Sequence, residues 1–237
     1  MLTAFSALTF LEGTFYALPD SHVIVSVGWA GYVVSSSFNQ RQDITAVSAS
    51  WIVPEVDASA GEGHSSTWIG IGGQEDKTLI QVGTEQDVVG DNVYYHAWYE
   101  MLPDYAIKIE GLTVEPGHHI TATIRLFDSE SNEWNIQLIN DDNGQSFNRN
   151  FVYNSTRSSG EWVMERPTIG GQISTLAAFG AVTFTECTVT VGNQTGGISD
   201  FSYSVVHMTN QQYGRLATTL ELNEDGRSFS VVYDSSS

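Results

Sequence analysis

The sequence predicts an all-β protein, an antiparallel β-sandwich of two large sheets. Three observations support this fold class. Apolar and polar residues alternate in many short runs, turn residues separate these runs, and helical periodicity is scarce. About a dozen short strands spaced in this way are typical of two-sheet sandwiches. Hydrophobic residues make up 41% of the 237-residue chain, which is enough to bury a sizeable core.

Alternating runs locate the individual strands. Four predicted strands cover Ala46–Pro54, Thr78–Val82, Val93–Met101 and His119–Phe127. Two hairpins are also predicted, each around a turn that ends in glycine. Their strands are Glu133–Ile139 with Gln145–Val152, and Leu216–Leu222 with Ser228–Tyr233.

The chain shows no internal repeat and no linker, which predicts a single domain over residues 27–237. The first 26 residues are apolar, but they lack a basic region and Glu12 interrupts them. They form a poor signal peptide and are too short to span a membrane. We expect residues 1–26 to be the remainder of a leader or pro-segment.

The chain is strongly acidic, with 28 Asp and Glu against nine Lys and Arg and a formal charge of −19. This charge disfavours nucleic acid and anionic membranes as partners, and favours a monomer near neutral pH. In acid, the carboxylates become neutral near pH 4. Nine Lys and Arg and six His then limit the positive charge to +15, so self-repulsion stays modest. Composition therefore favours adaptation to acid over mere solubility.

Several kinds of site are unsupported. The single cysteine, Cys187, excludes an intramolecular disulfide and a cysteine metal cluster, and its alternating surroundings predict a buried structural thiol. No histidine pair has the His-Glu-x-x-His spacing, and His118 and His119 would face opposite sides of a strand. Neither Gly-x-Ser-x-Gly nor paired Asp-Thr/Ser-Gly motifs occur. We predict no metal and no cofactor.

Five aromatic-rich segments each carry an unusually placed polar residue. They are Gly28–Gly31, Trp68–Gly73, Leu79–Gly83, His96–Asp104 and Ser159–Glu165. Gln81 shares a strand face with Leu79 and Gly83, so it is either a buried, hydrogen-bonded amide or a group on a concave sheet surface. Glu161 opens a strand directly after Gly160 and precedes Trp162.

In their order along the chain, these segments resemble the glutamic peptidases of family G1, the eqolisins. The resemblance rests on Gly-Trp-Ala-Gly, Trp-x-Gly-Ile, Leu-Ile-Gln-x-Gly, Ala-Trp-Tyr-Glu and Glu-Trp-x-x-Glu, followed by Phe179–Phe184. It runs from about Gly28 to the C-terminus. The fold that it implies is a concanavalin-like jelly roll, and the implied activity is that of a secreted, acid-acting endopeptidase on proteins or peptides, without metal or cofactor.

The resemblance also implies roles for single residues. Glu161 and Gln81 take the places of the family's catalytic glutamate and glutamine. The implied substrate-binding residues are Trp29, Trp68, Trp98, Trp162, Glu85, His96 and Glu100. Three positions depart from the family pattern. His96 and Gly72 replace acidic residues, and Glu85 replaces an aspartate, which puts subsite preference and pH optimum in doubt.

Two other functions remain open at this stage. Aromatic-lined β-sandwiches also bind sugars, so a lectin-like carbohydrate-binding module is one alternative. The other is a sandwich glycoside hydrolase, which needs two carboxylates roughly 5–10 Å apart. Glu100 and Glu161 are the candidates for that pair.

Overall fold

The computed structural model describes residues 16–17, 22–35, 42–74 and 77–234, and almost all of its regular structure is β-strand. The strands in chain order are β1 (Tyr16–Ala17), β2 (Val23–Ser26), β3 (Trp29–Ser35), β4 (Ile44–Ile52), β5 (Gly63–Gly72), β6 (Leu79–Val89), β7 (Asn92–Met101), β8 (Ile107–Lys108), β9 (His119–Asp128), β10 (Glu133–Asn140), β11 (Ser146–Val152), β12 (Ser159–Glu165), β13 (Thr168–Ile169), β14 (Gln172–Ile173), β15 (Ala181–Val191), β16 (Gln194–Gly196), β17 (Tyr203–Thr209), β18 (Arg215–Thr219) and β19 (Phe229–Tyr233). Short 3₁₀ turns cover Ala58–Ala60 and Ile198–Asp200.

The strands form two facing sheets. Sheet 1 has the order β8–β7–β6–β5–β12–β3–β17, with β2 and β1 beyond β17. Sheet 2 has the order β11–β10–β9–β4–β15–β19–β18. Hydrogen bonds between β17 and β18 join the two sheets along one edge. Neighbouring strands are antiparallel except β2 and β17. The predicted β-sandwich is confirmed, and both predicted hairpins form, as β10–β11 and β18–β19.

Large aromatic side chains fill the space between the sheets, and two of them also bond across it. The indole N–H of Trp162 in sheet 1 donates to the carbonyl oxygen of Ser48 in sheet 2, at 2.9 Å. In the other direction, the indole N–H of Trp51 donates to Oγ1 of Thr84 at 3.1 Å. Both rings are fully buried, so these bonds fix how the two sheets face each other.

The two sheets differ in their outer faces. Strands of sheet 2 alternate between buried and more accessible residues, as in β10, whose alternate positions are only partly buried, because water reaches their outer face. In sheet 1, β12 is buried at every position and β5 and β6 at nearly every position. Sheet 1 is therefore covered on both faces. Its outer face carries polar side chains, whose burial is costly unless they find partners.

The strands β1 and β2 of sheet 1 lie within residues 1–26, the segment expected to be a leader or pro-segment. Residues 1–15 and 18–21 of this segment lie outside the described ranges. Cys187 is fully buried, as predicted for a structural thiol. Among the described residues, we find no helix with the length and apolar character needed to cross a membrane.

Candidate active site

The outer face of sheet 1, here called the polar face, carries Glu161, Gln81 and Glu100 in one row. Glu161 on β12 pairs with Gly70 on β5, Gly70 pairs with Gln81 on β6, and Gln81 pairs with Glu100 on β7. Paired residues of adjacent strands point to the same face. Glu161 and Gln81 therefore lie two strand spacings apart, about 10 Å between their Cα atoms. Both side chains are fully buried.

Gln81 is a buried amide held at one end. Its Nε2 donates a hydrogen bond of 2.6 Å to Oε2 of Glu100. Its carbonyl oxygen, Oε1, is also buried and has no hydrogen-bond partner within the described part of the chain. The sequence left two environments open for Gln81, and the structure combines them, because this buried amide lies on the polar face. An unsatisfied buried acceptor is an available site for a water or substrate hydrogen.

Gly70 contributes no side chain to the space between Glu161 and Gln81, and the side chains of Trp68 and Leu79 pack there instead. A Cβ at this position would lie 2.8 Å from Cζ3 of Trp68 and 2.9 Å from Cδ1 of Leu79. The rings and branches of these two neighbours therefore lean over Gly70. Any larger residue at position 70 would have to push them away from the row that holds Glu161 and Gln81.

The carboxyl group of Glu100 is held in its neutral form. Burial, together with the nearby charges of Glu165 and Glu85, raises its pKa from the ordinary value to about 9. The hydrogen bonds from Gln81 and from the backbone of Ala106 act in the opposite direction but do not compensate. At acid and neutral pH, Glu100 is thus a neutral acceptor for the amide of Gln81.

Glu165 joins two of the predicted substrate-binding tryptophans. Its Oε2 accepts the indole N–H of Trp68 at 2.6 Å, and its Oε1 accepts that of Trp29 at 3.2 Å. The two rings meet edge to face, with centroids 5.0 Å apart. Burial raises the pKa of Glu165 well above its usual range, although both indole bonds lower it. The sequence alone did not single out Glu165 as a site residue. The available signal was its position four residues after Glu161, which places both side chains on the same face of the strand.

Trp98 and the pair of Glu85 and His96 complete the polar face. The indole N–H of Trp98 donates to Oγ of Ser66 at 3.0 Å. Nε2 of His96 lies 3.1 Å from Oε2 of Glu85, and both side chains are buried. Burial raises the pKa of Glu85, and the hydrogen bond from His96 offsets only part of this effect. The structure therefore brings both residues to the face that carries Gln81.

Trp162 is the exception among the expected site residues. It follows Glu161 directly and so points to the opposite face of β12. There it packs in the core between the sheets and donates to the carbonyl oxygen of Ser48. Because this side chain lies on the wrong face to line a site with Glu161, we do not retain it as a substrate-binding residue.

One group of side chains beside the polar face has the composition of a metal site. Ligand atoms of His64, Glu85 and Asp87 all lie within 4.8 Å of one another. They are already engaged with each other and with His96. Nδ1 of His64 lies 2.7 Å from Oδ1 of Asp87. Burial lowers the pKa of this imidazole, but the hydrogen bond and charge of Asp87, together with the charges of Glu85 and Glu62, raise it overall. We interpret the group as two neighbouring imidazole–carboxylate pairs.

Comparison with known proteins identifies the family. The family model described as the peptidase A4 family matches residues 27–233. The chain belongs to the peptidase A4 family. The relatives that match this chain are glutamic peptidases of family G1, and this A4 peptidase is therefore a glutamic endopeptidase. The family resemblance seen in the sequence is confirmed.

Curated and structural relatives agree with this assignment. The A4 peptidase is 29% identical over 232 residues to aspergillopepsin-2 from Aspergillus niger, covering 88% of this chain and 78% of the relative. Aspergilloglutamic peptidase from Aspergillus niger superposes with a TM-score of 0.64 at 29% identity, over 73% of this chain and 99% of that one. Scytalidoglutamic peptidase, crystallised with a peptide-based transition-state analogue, gives 0.73 at 22% identity, over 88% and 98%. The carbohydrate-binding and glycosidase alternatives are not favoured.

Proposed function

We propose that this A4 peptidase cleaves proteins or peptides in acid, with Glu161 and Gln81 as its two catalytic residues. The observation that carries the proposal is their shared row on the polar face, with only Gly70 between them. The reaction requires a water and a peptide carbonyl to enter between this carboxyl group and this amide when the chain segments that cover both residues move. Neither residue needs a metal for the chemistry described below.

Glu161 acts first as general base and then as general acid. Its carboxylate takes a proton from the water while the water oxygen bonds to the scissile carbonyl carbon. The resulting tetrahedral intermediate carries its negative charge on the former carbonyl oxygen. Glu161 then returns the proton to the leaving nitrogen as the C–N bond breaks.

Gln81 contributes at both ends of its amide. Its unpartnered Oε1 orients the attacking water by accepting one of its hydrogens. Its Nε2 has a second hydrogen besides the one donated to Glu100, and this hydrogen stabilises the developing oxyanion. Removal of such a donor typically costs about 3–4 kcal/mol of transition-state stabilisation. Because Gln81 is neutral, it imposes no like-charge coupling on Glu161.

The tryptophans of the polar face form the binding surface for an extended peptide. Trp29, Trp68 and Trp98 lie on alternate strands of sheet 1, namely β3, β5 and β7, and belong to one buried cluster. Glu85, His96 and Glu100 lie on β6 and β7 beside them. Related peptidases have been crystallised with a peptide-based transition-state analogue and with the tripeptide Ala-Ile-His. Since Glu161 and Gln81 are fully buried, chain segments that cover them must move before a substrate reaches them.

Work in acid is supported by the charge composition and by the polar face itself. With nine Lys and Arg, the chain relies little on salt bridges that acid would break. Glu85, Glu100 and Glu165 are buried carboxyls that favour the protonated form. We include secretion in the proposal on the basis of the family, and a monomeric state on the basis of the net charge of −19.

Digestion of an acid-denatured protein at about pH 3–4 tests the dyad, with pH chosen near the glutamate pKa. Wild type is compared with Glu161→Gln, Gln81→Ala and the exposed control Glu224→Gln. We expect both dyad variants to lose activity by a factor of roughly a hundred or more, while the control retains it. Proteolysis that survives both changes would refute the assignment. Loss of wild-type activity in the presence of a chelator, and its recovery on addition of metal, would contradict the mechanism.

A further inference from the structure

A pocket apart from the polar face, here called the Arg166 pocket, is lined by residues at or beyond the ends of strands from both sheets. Its volume is about 400 Å³. Arg166 follows the last residue of β12, and its backbone N–H donates to the carbonyl oxygen of Gly28 at 2.7 Å. Asn210 comes from the turn after β17, and Tyr233 ends β19. The pocket contains none of the residues assigned to the dyad or to the substrate-binding tryptophans.

The positive charge of Arg166 has no carboxylate beside it among the residues that the structure describes. The described residues that line the pocket include no Asp or Glu. Burial lowers the pKa of Arg166, and no nearby carboxylate acts against this effect. Its Nε atom is buried without a hydrogen-bond partner in the described structure, and so is Oγ of Ser174 on the same lining. In a protein of net charge −19, a half-buried arginine with no carboxylate beside it in the described ranges is unusual.

The lining also indicates the shape of the missing partner. A guanidinium presents N–H groups in a fixed fork that matches a carboxylate. The rest of the lining is mixed. Its apolar side chains, here called the apolar wall, are Ile173, Leu176, Leu216 and Tyr233, and its polar side chains are Thr175, Asn210, Gln211 and Gln212. An inorganic anion would satisfy the charge but leave the apolar wall uncovered. A pocket of about 400 Å³ lies within the range that holds small organic ligands.

We propose that the Arg166 pocket binds a carboxylate carried on an apolar group. The guanidinium pairs with the carboxylate, the hydroxyl of Ser174 donates to it, and the apolar wall covers the attached hydrocarbon. Two sources share this chemistry, namely a free aliphatic or aromatic acid and the C-terminal residue of a peptide. The site is separate from the dyad, so its occupancy does not depend on the proposed catalytic mechanism.

Isothermal titration at about pH 6, where simple carboxylic acids are ionised, tests the proposal. The probes are 3-phenylpropanoate, its neutral amide and inorganic phosphate. We expect saturable binding of the acid and no saturable binding of the amide or phosphate. Arg166→Gln should weaken binding of the acid by about tenfold or more, whereas Arg149→Gln, a change at an exposed arginine of β11, should leave it unchanged.

Acetyl-Leu-Phe with a free carboxylate and the same dipeptide as its amide distinguish the two sources. Tighter binding of the free dipeptide than of 3-phenylpropanoate assigns the pocket to peptide C-termini, and the reverse order assigns it to small acids. If Arg166→Gln does not fold, as judged by circular dichroism, Ser174→Ala replaces it and should weaken binding of the acid severalfold. No saturable binding to wild type up to roughly 10 mM, or equal binding by the amide, would overturn the proposal.

Discussion

Glu165 holds the indole of Trp68 through a hydrogen bond of 2.6 Å, and the same ring leans over Gly70. Through the ring of Trp68, Glu165 thus influences the space between Glu161 and Gln81 although its own carboxyl group lies outside the proposed dyad. Trp29 bonds to the other oxygen of Glu165, so one buried side chain sets the positions of two rings. Glu165 therefore fixes the two indole rings that form part of the proposed substrate-binding surface.

Glu165→Gln should lower kcat/KM by about tenfold while the protein still folds. The side-chain amide of glutamine offers one acceptor oxygen and one NH₂ group, so it can accept only one of the two indole hydrogens. Its NH₂ group then lies against the N–H of the other indole, and two donors face each other. The loss of a buried hydrogen bond is worth about 1–3 kcal/mol. Peptide hydrolysis and thermal unfolding are measured together, with Glu224→Gln as the exposed control. Unchanged kcat/KM would show that the rings need no such support.

Gly70→Ala should impair catalysis more than it impairs folding. The added methyl group collides with the rings of Trp68 and the branch of Leu79, and Trp68 cannot yield freely because Glu165 holds it. Such overpacking typically costs about 1–3 kcal/mol. We expect the urea midpoint to fall by this cost while the protein still folds, and kcat to fall because Trp68 is displaced from the row of Glu161 and Gln81. Gly144→Ala, at an open turn position where a Cβ meets nothing within 4 Å, is the control for loss of a glycine away from the site; because Gly144 has φ +70°, it should affect stability and not kcat.

Glu100→Gln should retain most activity in acid, unlike Glu161→Gln. Because the pKa of Glu100 is raised to about 9, its carboxyl is neutral in the working range, and a glutamine carbonyl can still accept from Nε2 of Gln81. The two variants are compared by kcat/KM at about pH 4. A loss as large as that of Glu161→Gln would give Glu100 a role in the chemistry, as the glycosidase alternative requires.

The fold should lose stability as pH rises through neutrality. Glu100 binds its proton up to about pH 9 in the folded protein, whereas its ordinary pKa is 4.5. Between these values the unfolded chain binds fewer protons, so the free energy of unfolding falls with increasing pH, by up to about 1.4 kcal/mol per pH unit for each such group. Glu85 and Glu165 act in the same direction.

Urea unfolding from about pH 4 to pH 9 measures this dependence. The midpoint should fall for wild type, and Glu100→Gln should flatten the curve and raise stability near neutral pH, because it removes one titrating group. The exposed carboxyls of Asp57, Asp128, Asp142 and Asp225 have lowered pKa values through local hydrogen bonds, so their contribution is lost as pH falls. A wild-type midpoint that rises steadily up to neutral pH would contradict the dominance of the buried glutamates.

Much of the fold could be predicted from the sequence because alternation is a local signal. The hairpins β10–β11 and β18–β19 follow from runs and turns that are adjacent in the chain. The order of the strands in sheet 1 could not be predicted in this way. It places β12 between β3 and β5, and this arrangement depends on packing between segments that are far apart in sequence.

The site shows the same division. Strand parity correctly put Gln81 on one face with Leu79 and Gly83, but it could not supply Glu100 as the partner of its amide. Glu165 was missed because its significance lies in two indoles from other strands. The pairing of Gln81 with Glu161 came from family resemblance, since no spacing rule brings these two residues together.

Glu161 and Trp162 are consecutive, and they point to opposite faces of β12. A substitution that changes how the indole of Trp162 packs in the core would also disturb the backbone that carries Glu161, the proposed catalytic carboxyl. A mutational scan that records activity alone would thus score Trp162 as if it touched substrate. Two consecutive positions of one strand therefore meet two different demands, the proposed chemistry at Glu161 and core packing at Trp162.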